Sequence, residues 1–476
     1  MEQAAGWTQS YGRSNATRGL EPRMHVAQKN HHGLNVPSSS PHLSLASIVL
    51  DLFFAHMKFL PRNFFRPLAS LSFLLAPLSA AVIGTNPPCL PLSVERLAAL
   101  PSAEQTAWRD YLARSKALSA ADEKFYTDEL KVQSLTKPLV PTRGRSLPLK
   151  NPDMWYTTAE ARRAADITVS FQTPAGGWNK NTSFTDHLRR PGERSGYENG
   201  YIGTFDNDAT ITPLSFLAKV IAATDATNPD ASTPYRAAFT RGLNYLLQAQ
   251  FPNGGWPQVY PLEGSYHDAI TYNDGAMVNI LTLLRALAAG QKEFAFVSAA
   301  DRARAAAAVT RGLHCILATQ IIVQGRLTVW CQQHDSLTLA PTSARNYEMP
   351  SQSSGESAGL ALFLMELPNP SPEVVTAVHA AAAWFKKTVL QDVIFKPAPD
   401  DSGRRLVAAP GATPMWPRYA EIGSDRPLFG DRDKTIHDDV NQISKERRNG
   451  YAWFGDGPKR ALDLYRTWAQ AHPVAR

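Results

Sequence analysis

The sequence predicts an all-α chain folded as an α/α toroid of three helical-hairpin repeats, an (α/α)3 barrel with long loops lining a groove. Three observations carry that prediction. First, a helix ending in Gln, a Gly-Gly-Trp turn, a polar acidic loop and an apolar helix recur along the chain. "ADITVSFQTPAGGWNKN" (165–181) and "GLNYLLQAQFPNGGWPQV" (242–259) are close copies, and "GLHCILATQIIVQGRLTVWCQQ" (312–333) is a weaker one. Second, the tryptophans Trp178, Trp256 and Trp330 stand 78 and 74 residues apart, a period suited to stacked units that bury a shared core. Third, strand signals are sparse, which disfavours sandwich, barrel and Rossmann architectures.

The elements follow in chain order. Residues 1–56 are polar, rich in His, Ser and Asn and without helical period, and are read as an untranslated or disordered extension. Residues 57–81 carry a basic start (Lys58, Arg62, Arg66), an apolar run of about 11 residues from Leu68 to Leu78, and small residues Ser79-Ala80-Ala81. That run is short of the roughly 20 residues a membrane span needs. The expectation is a signal peptide beginning at Met57, hence a secreted or periplasmic protein with no lasting membrane association; a short buried helix is the alternative. Residues 82–150 form an N-terminal helical segment and linker: 90–136 read as two or three amphipathic helices, and the Pro- and basic-rich 137–152 as a boundary. Residues 151–476 hold the repeats.

In the repeats, the glycines release each helix through positive φ and the tryptophan fills the space between layers. Equivalent loops of a repeat emerge on one face, so the three polar loops gather at one rim. They contain Asp206, Asn207 and Asp208, then Asp268 and Asp274, then Asp335 and Glu348. Carboxylates and an amide oxygen without a His-Cys set suit a hard cation such as calcium. On its own stretch, Asp206 or Asp208 also reads as a cap for the helix starting near Ala209. Arg345, in "PTSARNYEMPS", and Arg418 and Arg432, in loops of the last third, approach the same rim; a guanidinium fork binds carboxylates, and a surface ion pair is the alternative for each. Arg447 and Arg448 are open between a helix end and the site.

Composition narrows the classes. The chain has 476 residues, 43% hydrophobic and 19% charged, with net charge +7. Seven Lys and Arg against three Asp and Glu fall in the first 81 residues, leaving 42 basic against 39 acidic, so no polyanion-binding tail exists and nucleic acid is not an expected partner. Cys89, Cys315 and Cys331 match no metal-ligand spacing; a Cys315–Cys331 bridge and buried free thiols are both open. Gly-rich phosphate loops, His-Glu-x-x-His and nucleophile elbows are absent from the sequence.

Together, "GGWNKN", "TFDNDAT", "FPNGGWPQVYPLEGSYHDAITYNDGAM", "WCQQHD", "PTSARNYEMPS" and "ERRNGYAWFG" resemble the pectate lyases of polysaccharide lyase family ten, from about Trp155 to Ala471. The resemblance implies an α/α toroid that cleaves polygalacturonate by anti β-elimination, with calcium bridging enzyme and substrate carboxylate. It carries calcium and substrate roles to Asp206, Asn207 and Asp268, a base role to Arg345, and substrate-carboxylate contacts to Arg418 and Arg432. Asp208 and Asp274 join them as substrate-binding candidates, and a monomer is expected. The chain departs from the family pattern at Pro213, where an acidic or amide residue is expected after "DNDATIT"; that puts a calcium ligand in question. Replacing Asp206 or Asp268 by Ala is expected to lower activity and spare the fold, since both stand in loops.

Two other readings compete. Terpenoid cyclases also use Gly-Gly-Trp turns on a toroid, but their Asp-x-Asp-Asp acid is here Asp-Asn-Asp-Ala. A non-catalytic pectin-binding protein would keep the calcium and tolerate loss of the base, against which the intact Arg345 argues.

Overall fold

In the computed structural model the described residues are 82–473 apart from 145–146, 199–201 and 227; the expected extension and signal peptide lie outside them. After a short 3-10 turn at Glu95–Ala99, α1 runs Ser102–Val132 as one unbroken helix of 31 residues, where the sequence reading expected two or three. The stretch has neither Gly nor Pro, so nothing in it stops a helix once Pro101 has started one. The 137–152 segment then runs along the repeats, bridging at Leu139 to Glu193 and at Arg143 to Thr182.

The repeats alternate two kinds of helix. Ile211–Asp225, Ala276–Ala288 and Ser354–Met365, which follow the three polar loops, are apolar nearly all round and therefore buried, whereas the others keep a polar face. In order the repeat helices are α2 (Ala159–Ser170), α3 (Ile211–Asp225), α4 (Thr233–Ala249), α5 (Ala276–Ala288), α6 (Ala299–Thr319), α7 (Ser354–Met365), α8 (Pro372–Thr388), the short α9 (Lys445–Gly450) and α10 (Gly457–Ala471). Helices α2, α4, α6 and α8 lie side by side in one row; α3, α5, α7 and α10 form the second. This is the α/α toroid. The three expected hairpins are present, and α8 with α10 makes a fourth pair.

The turns show why Gln, Gly and Trp recur. Gly176 and Gly254 adopt φ of +107° and +92°, and a Cβ on Gly254 would meet the Arg311 carbonyl oxygen at 2.1 Å. The indoles of Trp178, Trp256 and Trp330 donate to carbonyls of the preceding helix, at Thr168 (2.8 Å), Leu246 (2.9 Å) and Ile316 (2.7 Å). Each glutamine amide reaches the next helix of the row: Gln172 to Ala238 (2.9 Å), Gln250 to Ala308 (2.9 Å) and Gln320 to Ala377 (3.0 Å). Trp416 repeats the indole bond, to Phe385 at 2.7 Å. A hairpin of Val393–Pro397 with Arg404–Ala408 stands between α8 and Trp416, which hides this fourth copy in the sequence.

Strands are short but they place the site. Gly84–Thr85, Thr435–His437, Pro427–Gly430, Tyr419–Ala420 and Gln352–Ser353 form an antiparallel five-stranded sheet in that order. It seats a second apolar cluster containing Tyr347, Met349, Tyr419, Phe429 and Trp453, which locks the Arg345 loop against the C-terminal segment. Cys315 and Cys331 are buried free thiols, so no bridge joins them. Among the described residues no helix is long and apolar enough to cross a membrane.

Candidate active site

The first loop turns through Asn207 and Asp208 at φ of +52° and +58°, a conformation that Asn and Asp tolerate better than most residues. Neither aspartate caps the following helix: the N-cap of α3 is Thr210 and makes no side-chain cap bond. Asp206 instead takes a short ion pair from the Lys180 ammonium, both side chains being buried, and Asp208 accepts from the Asn279 amide of α5. Pro213 is buried in the first turn of α3, where its missing N–H breaks no helix bond and it offers no side-chain oxygen to the loop.

The second loop divides its two acids. Asp274, at φ of +51°, has its carboxyl pushed up to about 6, first by burial and then by the charge of Asp206, with Arg418 opposing. Burial likewise raises Asp208, with Asp206 adding to the effect against the Asn279 hydrogen bond. Asp206, Asp208 and Asp274 therefore share one field. Asp268 is held differently: it accepts the Gly264 backbone N–H at 3.0 Å, is pushed up to about 6 by burial, and bears electrostatically on Cys89 and Tyr111. In the third loop Asp335 is a structural acid, bound by Arg96 at 2.7 Å and by the N–H groups of Leu337 and Thr338.

The arginines converge on two tyrosines. Arg418 is buried and donates through Nη2 to Glu356 (2.6 Å), Asn273 (3.0 Å) and Gln332 (3.3 Å). Its guanidinium carbon lies 4.9 Å from the Tyr451 ring centroid, and that of Arg345 lies 5.6 Å from the same centroid. Arg345 is paired side-on with Glu348, so the ion pair weighed as an alternative is present; its side chain stays 44% exposed while that of Glu348 is 3% exposed. Burial works against charge on Arg345, but the Glu348 carboxylate outweighs it and raises the guanidinium above its ordinary range. Arg432 is half exposed and forks onto Glu446 with both bonds at 3.1 Å. Arg447, buried, crosses Tyr347 at 4.4 Å, and Arg345 and Arg432 lie over the same ring at 5.1 and 5.8 Å. Arg448 turns away, to the carbonyls of Asn441 and Ser402.

Several neighbours escaped the sequence reading. Lys180 and Tyr451 belong to "GGWNKN" and "ERRNGYAWFG", but only the fold brings them to Asp206 and to the arginines. Glu356 opens α7, directed at Arg418. His267 is pushed down to about 4 by burial, then by Lys180, and so stays neutral. The donors around Asp206 are hard oxygens whose charges repel one another, which suits a divalent cation, although Lys180 already neutralises one of them. Among the described residues no three His, Cys, Asp or Glu side chains converge as metal ligands, so a bound cation would draw much of its shell from other oxygens.

A family model for pectic acid lyase matches residues 172–462. A solved structure of a family 10 polysaccharide lyase from Cellvibrio cellulosa is 36% identical, with a TM-score of 0.57 over 70% of this chain and 100% of that one. An aspartate-to-alanine mutant of a family 10 polysaccharide lyase from the same organism, in complex with trigalacturonic acid, is also 36% identical, with a TM-score of 0.57 over 68% of this chain and 99% of that one. No curated protein matches the chain.

Proposed function

Since the chain belongs to the pectic acid lyase family and is a polysaccharide lyase, we propose that it cleaves polygalacturonate by anti β-elimination with calcium as cofactor. One observation carries the reading: the guanidinium groups of Arg345 and Arg418 lie over the same Tyr451 ring, within electrostatic reach of Asp274.

Removing the C5 proton of a galacturonate unit moves charge onto its carboxylate as an enolate, and expulsion of the 4-oxygen leaves a 4,5-unsaturated sugar. Carbanion formation sets the barrier, so fixed positive charge beside the carboxylate contributes most. Arg418 suits that task because Glu356, Asn273 and Gln332 hold it in place before substrate arrives. Arg432, more exposed, reaches a carboxylate farther along the groove. Arg345 is the base; bound substrate and the cations around it disfavour its charge, against the hold of Glu348. Calcium held by Asp206 and, following the family resemblance, by Asn207 and Asp268 would supply two further positive charges at the substrate carboxylate.

Polygalacturonate added to the purified protein is expected to raise ultraviolet absorbance as the unsaturated product forms. Chelator should abolish the rise and calcium restore it, with magnesium a poor substitute because it demands a smaller octahedral shell. No rise with calcium present rejects the reading. An exported location suits a polymeric substrate, and secreted protein beginning upstream of Met57 would reject the assigned leader.

A further inference from the structure

Glu348 has no part in the scheme of base, cations and carboxylate, yet it is nearly wholly buried and commits both oxygens to Arg345. Oε2 accepts from Arg345 Nε at 2.9 Å and from the Arg345 backbone N–H at 3.0 Å, and Oε1 accepts from Nη2 at 2.5 Å. A planar guanidinium gripped by Nε and Nη2 has Nη1 on its opposite edge. The grip continues inward. The Tyr451 hydroxyl donates to Glu348 Oε1 at 2.7 Å and meets the Tyr419 hydroxyl at 2.6 Å. With the Tyr451 proton committed to Glu348, Tyr419 is the donor between the two hydroxyls, and the Arg418 guanidinium carbon lies over both rings, 4.9 Å from the Tyr451 centroid and 5.6 Å from that of Tyr419. Hydrogen bonds thus run from Arg345 through Glu348 and Tyr451 to Tyr419, and Arg418 lies against both tyrosine rings.

We propose that Glu348 is a positioning residue for the reaction: it clamps Arg345 by the Nε–Nη2 edge, presents Nη1 to the substrate, and through Tyr451 ties that orientation to Arg418. The inference rests on the base role given to Arg345 above. The charged and titratable groups facing the pair are Tyr347, Tyr451, Tyr419 and Arg418, with Arg432 and Arg447 across Tyr347; His267 and Asp274 feel Arg345 from the second loop. Burial opposes charge on Glu348 as well, but Arg345 and then Arg418 hold it ionised.

Glu348→Gln keeps the shape of the clamp and removes its charge. An opposite charge at this range shifts a titration by about 1–3 units, so the alkaline rise of kcat should move to lower pH by about that amount. KM for polygalacturonate should stay within about twofold, because substrate contacts are untouched. Tyr451→Phe removes the donor that tempers Glu348, and should move the same rise to higher pH. The test measures kcat and KM against pH with calcium present for the full enzyme, both variants and Arg345→Lys, with melting curves to identify folded protein. Opposite shifts support the proposal. A rise that stays put in both variants, or an increase in KM at unchanged kcat, overturns it. Should Glu348→Gln fail to fold, the Tyr451→Phe profile decides. Arg345→Lys activity within about tenfold of wild type rejects the base reading itself, whereas an inactive lysine variant with unmoved profiles rejects only the clamp.

Discussion

Asp206 and Asp122 are both buried aspartates, and their partners give them opposite consequences. Asp206 faces the buried Lys180 ammonium, so Asp206→Ala strips a buried charge of this partner rather than merely emptying a loop. Breaking such a pair costs about 3–5 kcal/mol, which replaces the expectation that the fold is spared. Denaturant unfolding of Asp206→Ala should show that loss together with abolished turnover. Adding Lys180→Met should recover stability and leave the protein inactive; recovered activity would remove Asp206 from the site. Asp122 on α1 has its carboxyl pushed up to about 7 by burial, which the Ala175 backbone N–H only partly offsets. The folded-state value is raised, so its contribution is fully present below the unfolded value near 4 and is lost as pH rises through about 7. Asp122→Asn should therefore melt higher than wild type at pH 8 and alike at pH 4; equal melting at both would refute the assignment.

At the scale of the element, the repeat is held by polar staples as much as by its core. Gln250 donates to Gly254 and Ala308 and accepts from Arg311, closing the end of α4 onto α6. Its removal leaves two buried carbonyls short of a donor, each worth about 1–3 kcal/mol. Gln250→Ala should lower unfolding free energy by at least the smaller of these values, and Gly254→Ala should do so too, since its Cβ would strike the Arg311 backbone. Wild-type stability in either variant would show that the turns are not what joins neighbouring repeats.

Across the whole molecule, the segment ahead of the repeats is part of the packing. Trp108 and Tyr111 of α1 sit against Phe251 at ring-centroid distances of 5.3 and 5.1 Å, and the Tyr111 hydroxyl donates to Ala249. Arg96 reaches Asp335 of the third loop, so this segment also braces the rim. Trp108→Ala should cost about 3–5 kcal/mol by calorimetry or denaturant, the range for emptying a buried aromatic site. A loss well under 1 kcal/mol would mean that α1 is dispensable to the toroid.

The toroid and its three hairpins were legible because their causes are local. A Gly that must take positive φ, a Trp whose indole bonds the helix just before it, and a Gln at a helix end recur within each period, so they print a pattern on the chain. The acids and arginines of the rim were legible as a set for the same reason. Which acid meets which base was not: Asp206 pairs with Lys180 and Arg418 with Glu356, whereas Asp268 turns to the backbone of Gly264. Nor was the fourth Trp, separated from its helix by the 393–408 hairpin, nor the sheet that sets Tyr451 beside Arg345 and Arg418. Residue type and spacing determine which groups a loop offers. Charge pairing and burial depend on distance in space, which long-range packing alone decides.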